Sequence, residues 1–136
     1  MSDRLGFMTV AALLAMSSAG QAAETLVGGP LYAGDPAVIS ALFVNCRIFN
    51  FSNRSVTIGL HRIYDNAGTN VAKTGDSCTS PLGPMKTCAF SGNITGNFAF
   101  SCVAIYSGAE AQLSGAIEIT DDMNTVLQTS PMHNYP

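Results

Sequence analysis

Residues 98–107 read FAFSCVAIYS and residues 41–50 read ALFVNCRIFN. In the first, Phe98, Phe100, Cys102, Ala104 and Tyr106 fall on one side. In the second, Leu42, Val44, Cys46 and Ile48 oppose Phe43, Asn45, Arg47 and Phe49. A period of two, rich in aromatic and β-branched side chains, predicts strands that each bury one face. Both put a cysteine in mid-strand on the face assigned to the core.

The same rhythm extends in both directions. Residues 55–64 (SVTIGLHRIY) alternate as Val56, Ile58 and Leu60, then slip at His61-Arg62, because the next core candidate is Ile63. One extra residue in a strand is what a β-bulge produces. Residues 71–78 and 86–91 predict weaker strands. Residues 112–120 (QLSGAIEIT) alternate Leu113, Gly115, Ile117 and Ile119 against Ser114, Ala116, Glu118 and Thr120, and residues 125–129 can return as a short final strand. Asp65-Asn66-Ala67-Gly68, Ser80-Pro81-Leu82-Gly83-Pro84 and Asp121-Asp122-Met123-Asn124 are turn signals. About seven short strands and no helical period predict an all-β fold: an antiparallel two-sheet β-sandwich, immunoglobulin-like.

The chain begins with the grammar of a secretory signal. Arg4 is followed by an uncharged, mostly apolar run over residues 5–16 (LGFMTVAALLAM), then by small residues ending Gly20-Gln21-Ala22. Gly20 and Ala22 fit the −3 and −1 places, so residues 1–22 read as a cleaved signal peptide. The apolar run falls short of the roughly 20 residues that span a bilayer, which disfavours an uncleaved anchor. Residues 23–36, broken by Gly28-Gly29-Pro30 and Gly34-Asp35-Pro36, predict an irregular lead-in with at most a short edge strand near Leu31. Residues 37–129 form the single domain and residues 130–136 a loose tail. Export takes the chain to an oxidising compartment with no membrane insertion after cleavage, in the periplasm or outside the cell.

Four cysteines there predict two disulfides. Three pairings are possible. Cys46 and Cys102 share the core face, and Cys78 and Cys88 flank the Pro-Gly-Pro turn, so the expected bonds are Cys46–Cys102 and Cys78–Cys88. Chain entropy assigns them about 4 and about 3 kcal/mol. Zinc sites use close ligand pairs, whereas the gaps here are 31, 9 and 13 residues. No metal and no cofactor is expected.

Charged residues make up 11% of the chain and the net charge is −3. Arg47, Arg54, Arg62, Lys73 and Lys86 do not cluster, which argues against nucleic acid as a partner. No G-x-S-x-G, H-E-x-x-H, P-loop or Rossmann pattern is present, so no catalytic residue is assigned. Asp121-Asp122-Met123-Asn124 could offer oxygens to calcium but reads better as a hairpin turn. Asn50-Phe51-Ser52, Asn53-Arg54-Ser55 and Asn93-Ile94-Thr95 match the glycosylation sequon. Phe43, Phe49 and Phe51, on the face opposite Cys46, form a candidate partner-binding strip, joined by His61 at the suspected bulge.

At Asn45-Cys46-Arg47-Ile48-Phe49-Asn50, Ile63-Tyr64-Asp65-Asn66-Ala67-Gly68 and Phe100-Ser101-Cys102, the chain resembles small exported bacterial β-sandwich proteins of the immunoglobulin or fibronectin type III kind. The resemblance covers residues 38–129. It departs from antibody domains, whose core disulfide packs on a Trp that is absent here. It implies a fold and transfers no active residue. The expected function is a non-catalytic binding or structural module that docks a protein or glycan of the cell envelope on a sheet face or edge. A subunit of a surface fibre or coat, or a small hydrolase built on His61 and a nearby carboxylate, are the alternatives.

Overall fold

A computed structural model describes residues 22–34, 42–96, 98–107 and 112–135. The expected signal peptide, apart from Ala22, lies outside these residues. Eight strands follow one another: β1 (Glu24–Tyr32), β2 (Phe43–Asn50), β3 (Thr57–Asp65), β4 (Lys73–Asp76), β5 (Lys86–Asn93), β6 (Ala99–Ser107), β7 (Leu113–Thr120) and β8 (Val126–Tyr135). Every pairing between them is antiparallel. In place of two separate sheets, hydrogen bonds run through all eight strands as one sheet in the order β3-β6-β1-β8-β7-β2-β5-β4.

That sheet is coiled until its ends meet and is nearly barrel-shaped. Strand β8 makes the corner. Its residues 126–132 pair with β7, and residues 132–135 pair with β1. Strands that change partners along their length are how sheets turn corners. At the crossing point Met132 stands opposite both Gly28 and Gly115. A Cβ on Gly28 would lie 2.4 Å from Met132 Cγ, so any larger residue there would have to displace the Met132 side chain. The β3 and β4 edges then face each other, with Val71 N–H donating to Ile63 O at 2.8 Å.

The interior is filled from all walls by Leu26, Val44, Ile48, Ile63, Phe90, Phe100, Tyr106, Ile117 and Ile119, each almost fully buried. Burying such a side chain contributes about 2 kcal/mol. The alternation in β2, β6 and β7 selects this set. Cys46 and Cys102 sit on strands that are not neighbours in the sheet, with Cα atoms 5.9 Å apart, so their disulfide crosses the interior from wall to wall. Cys78 and Cys88 form the second bond, with Cα atoms 5.1 Å apart, on the β4–β5 connection.

Three expectations change. The lead-in and the tail are not irregular: β1 occupies residues 24–32 in the middle of the sheet, and β8 continues to Tyr135. Each supplies the other's ladder, across almost the whole chain. The bulge in β3 lies one step earlier than expected, between Ile58 and His61. Leu60 is therefore turned out to solvent, and His61 takes the inward place opposite Ala104. Phe98, ahead of β6, is also exposed.

Candidate functional site

The bulge aims His61 at the seam. Its ring packs edge-on against Phe90 at 5.0 Å between centroids. Asp76, at the end of β4, lies directly opposite Phe90 on β5, so histidine and carboxylate converge over the same aromatic. His61 Nε2 lies 2.8 and 3.0 Å from the two Asp76 oxygens, and Nδ1 lies 2.7 Å from Gly59 O. Both ring nitrogens face acceptors, and the imidazolium form donates to both. Lys73 Nζ also donates to Asp76, as does the Cys78 backbone N–H at 3.0 Å. Partial burial works to raise the Asp76 carboxyl, but the hydrogen bonds from Lys73, His61 and Cys78 outweigh it and hold the group below the usual carboxylate range. A general base needs one ring nitrogen directed at the proton it removes. Here both are engaged, and the cluster acts as a clasp between the two edge strands.

The aromatic strip is divided. Phe43 and Phe49 share the outer face of β2 but lie at opposite ends of it, both half-buried. Between them, Asn45 Nδ2 donates to Thr120 Oγ1 at 2.9 Å and Arg47 Nε donates to Glu118 at 2.7 Å. Phe49 and Phe51 do meet, stacked at 6.4 Å between centroids and 14° between planes. His61 belongs to none of this, since it points inward at the far edge of the sheet order.

Phe51 follows the last β2–β5 pair, Asn50↔Lys86, and Met85 precedes it, so both lie just beyond the paired strand ends. Phe51 is 44% exposed and Met85 66%. Met85 carries φ 55°, a left-handed conformation that a bulky side chain adopts only at a cost. The loops beneath are tied together by one buried side chain. Asn50, fully buried, donates through Nδ2 to the carbonyls of Arg54, Leu82 and Gly83 and accepts from Ser52 N–H and Oγ–H. Its sequon is therefore closed to modification in the folded protein, while Asn53 and Asn93 are exposed. A shallow apolar groove of about 290 Å³, lined by Arg47, Phe49, Thr87 and Ser114, adjoins the aromatic pair.

At the opposite end a cleft of about 360 Å³ is lined by Asp65, Thr69, Asn70, Thr74, Asn93 and Thr95. Asp121 there builds a turn: its Oδ1 accepts from the N–H groups of Met123 and Thr125 at 2.9 and 2.7 Å. Among the described residues no group of His, Cys, Asp or Glu is arranged to hold a metal. In the wall, Tyr106 O–H donates to Glu24 at 2.6 Å and lies 2.9 Å from the Asn134 amide. Burial, and then the Glu24 carboxylate, push this phenol far above its usual range. Sequence reasoning missed Asp76, Lys73 and Met85. None lies in a periodic run, and each gains its place only when distant edges or loops come together.

Comparison with known proteins gives no matching family model, no matching curated protein and no matching solved structure.

Proposed function

We propose that the protein is an exported, non-catalytic β-sandwich-like module of the periplasm or cell exterior. It docks a protein partner at the strand ends that carry Phe49, Phe51 and Met85. The observation that carries this reading is Met85: an apolar side chain two-thirds in solvent, held in a left-handed turn, at the same end of the sheet as exposed Phe51. Both exposure and backbone work against stability there, and docking offers a return for both. Exposed methionine and phenylalanine suit an apolar protein contact. The engaged nitrogens of His61 support the absence of a hydrolase centre. Two disulfides suggest an oxidising, extracytoplasmic setting, and among the described residues no helix is long and apolar enough to cross a membrane. The wall-to-wall disulfide, which joins opposite sides of the coiled sheet, supports the sandwich-like part of this reading.

A photo-crosslinking amino acid placed at position 51, in cells that make the protein, tests this. A discrete protein adduct is expected at position 51 and none at position 60, an exposed site in mid-β3. No adduct at position 51, or equal labelling at both, would contradict the docking role.

A further inference from the structure

The cleft at the end away from Phe51 and Met85 takes no part in the docking role. It is built where the two edges of the coiled sheet meet. One wall is the loop that leaves β3. Asp65 Oδ1 ties it down by accepting from the N–H groups of Ala67 and Thr69, and Val71 N–H donates to Ile63 O. The other wall is the end of β5. There Ile94 N–H donates to Leu42 O at 2.8 Å and the Ile94 side chain is buried, so alternation turns Asn93 and Thr95 outward. Gly92 lets the walls close up: a Cβ on it would lie 2.9 Å from Val71 Cγ1 and 3.1 Å from Ala72 O. Val71, packed against the core, lines the cleft between them.

The polar side chains here are left unused by the fold. Thr69, Asn70, Asn93 and Thr95 all line the cleft and all are exposed. None of the four side chains is hydrogen-bonded among the described residues. Hydroxyls and amides such as these both donate and accept. Asp65 commits Oδ1 to its turn and keeps Oδ2 free of any bond among the described residues. It is the one charged group among the described residues of the lining.

The geometry points to this cleft as a binding site for a neutral saccharide. Sugar hydroxyls also donate and accept, so they match both amides and both threonines. The free carboxylate oxygen accepts from a hydroxyl in a charge-assisted bond, and Val71 offers an apolar surface to the C–H face of the ring. The volume of about 360 Å³ falls within the roughly 300–1,000 Å³ of small-molecule sites. An acidic sugar or a phosphate would meet Asp65 with no cation to offset it, since nearby Lys73 is held by Asp76. Calcium takes about six to eight oxygens, several of them from carboxylates, and one carboxylate lines the cleft. Both walls are tied before any ligand arrives, which lowers the entropy lost on binding.

The test is a titration of the oxidised, isotope-labelled chain with maltotriose, cellotriose and triacetylchitotriose, followed by amide NMR. At least one should shift the side-chain amides of Asn70 and Asn93 at millimolar concentration and leave Phe51 and Met85 unmoved. Asn93→Ala and Thr95→Val should each weaken that binding about tenfold, the loss of one or two hydrogen bonds to the ligand. Asp65→Asn keeps the turn acceptor and should weaken it similarly. All three variants should melt close to the native chain; should one disturb the fold, the other two carry the test. Stronger retention on the insoluble polymer of the same sugar would mark an envelope polymer as the source, and stronger binding of the trisaccharide a free oligosaccharide. No shift with any of the three sugars, shifts confined to the Phe51–Met85 end, or unchanged binding in folded variants overturns the site. A glycan already attached to Asn93 in native material, at its sequon, overturns it too. Crosslinking at position 51 is untouched by these results, so the docking role stands or falls separately.

Discussion

Asp65 and Asp121 perform the same local task twice. In each turn the carboxylate Oδ1 accepts from the N–H groups two and four residues on, and the aspartate N–H bonds the carbonyl of a threonine four residues on. The fourth residue is left-handed in both: Gly68 at φ 77° and Asn124 at φ 60°. Glycine takes this conformation freely, whereas asparagine tolerates it. Asn124→Gly should therefore raise stability by about 0.5 kcal/mol and Gly68→Ala should lower it by about 1 kcal/mol, read as opposite shifts in denaturant midpoint. Asn50 is the other decisive residue. Asn50→Ala would strand three carbonyls and the donors of Ser52 in a buried site. A loss of about 3 kcal/mol is expected in equilibrium unfolding. Asp76 sets the acid limb. Its folded pKa is depressed, so its stabilisation is complete above the unfolded carboxylate value near pH 4 and is lost as pH falls through the folded value. Thermal melts between pH 5 and pH 2 should show a steeper loss for the native chain than for Asp76→Asn.

Strands whose core face is written as an alternation were readable in advance: β2, β6 and β7, with Cys46 and Cys102 on the buried side. The turns at residues 65–69 and 121–125 were equally plain, because Asp and Gly or Asn carry them locally. Strand β1 was not, since Gly28, Gly29 and Pro30 argue against a strand when taken alone. They are tolerated because Gly28 must admit Met132, and the irregularity falls between Gly28 and Leu31 in the β6 ladder. The final strand was hidden in the same way, its Pro131 and polar residues gaining order only from β7 and β1. His61 was flagged, but for the wrong neighbours: the bulge fell one step earlier, and Asp76 was invisible until the edges met. At this scale the disulfides should differ. Removing Cys46–Cys102 as a pair of alanines should cost about 4 kcal/mol and removing Cys78–Cys88 about 3 kcal/mol by loop closure. The first adds a cavity between the walls, so its deficit in urea should be the larger of the two.

Against a net stability of roughly 5–15 kcal/mol for a domain of this size, two such crosslinks are a large share. The molecule is therefore matched to an oxidising compartment. Its chemistry is spent on closing the sheet: the imidazole is clasped, the thiols are joined, and the buried amide and phenol are bonded internally. Among the described residues, Met123, Tyr135 and Met85 are the most exposed large apolar side chains, and all three lie at ends of the sheet. The most direct measurement is oxidative footprinting of methionines, comparing the protein in the cells that make it with the dilute purified chain. Docking through the Phe51–Met85 end requires Met85 to be protected from sulfoxide formation in the native setting and to react readily when dilute, with buried Met132 slow in both. Equal oxidation of Met85 in the two settings would contradict the account.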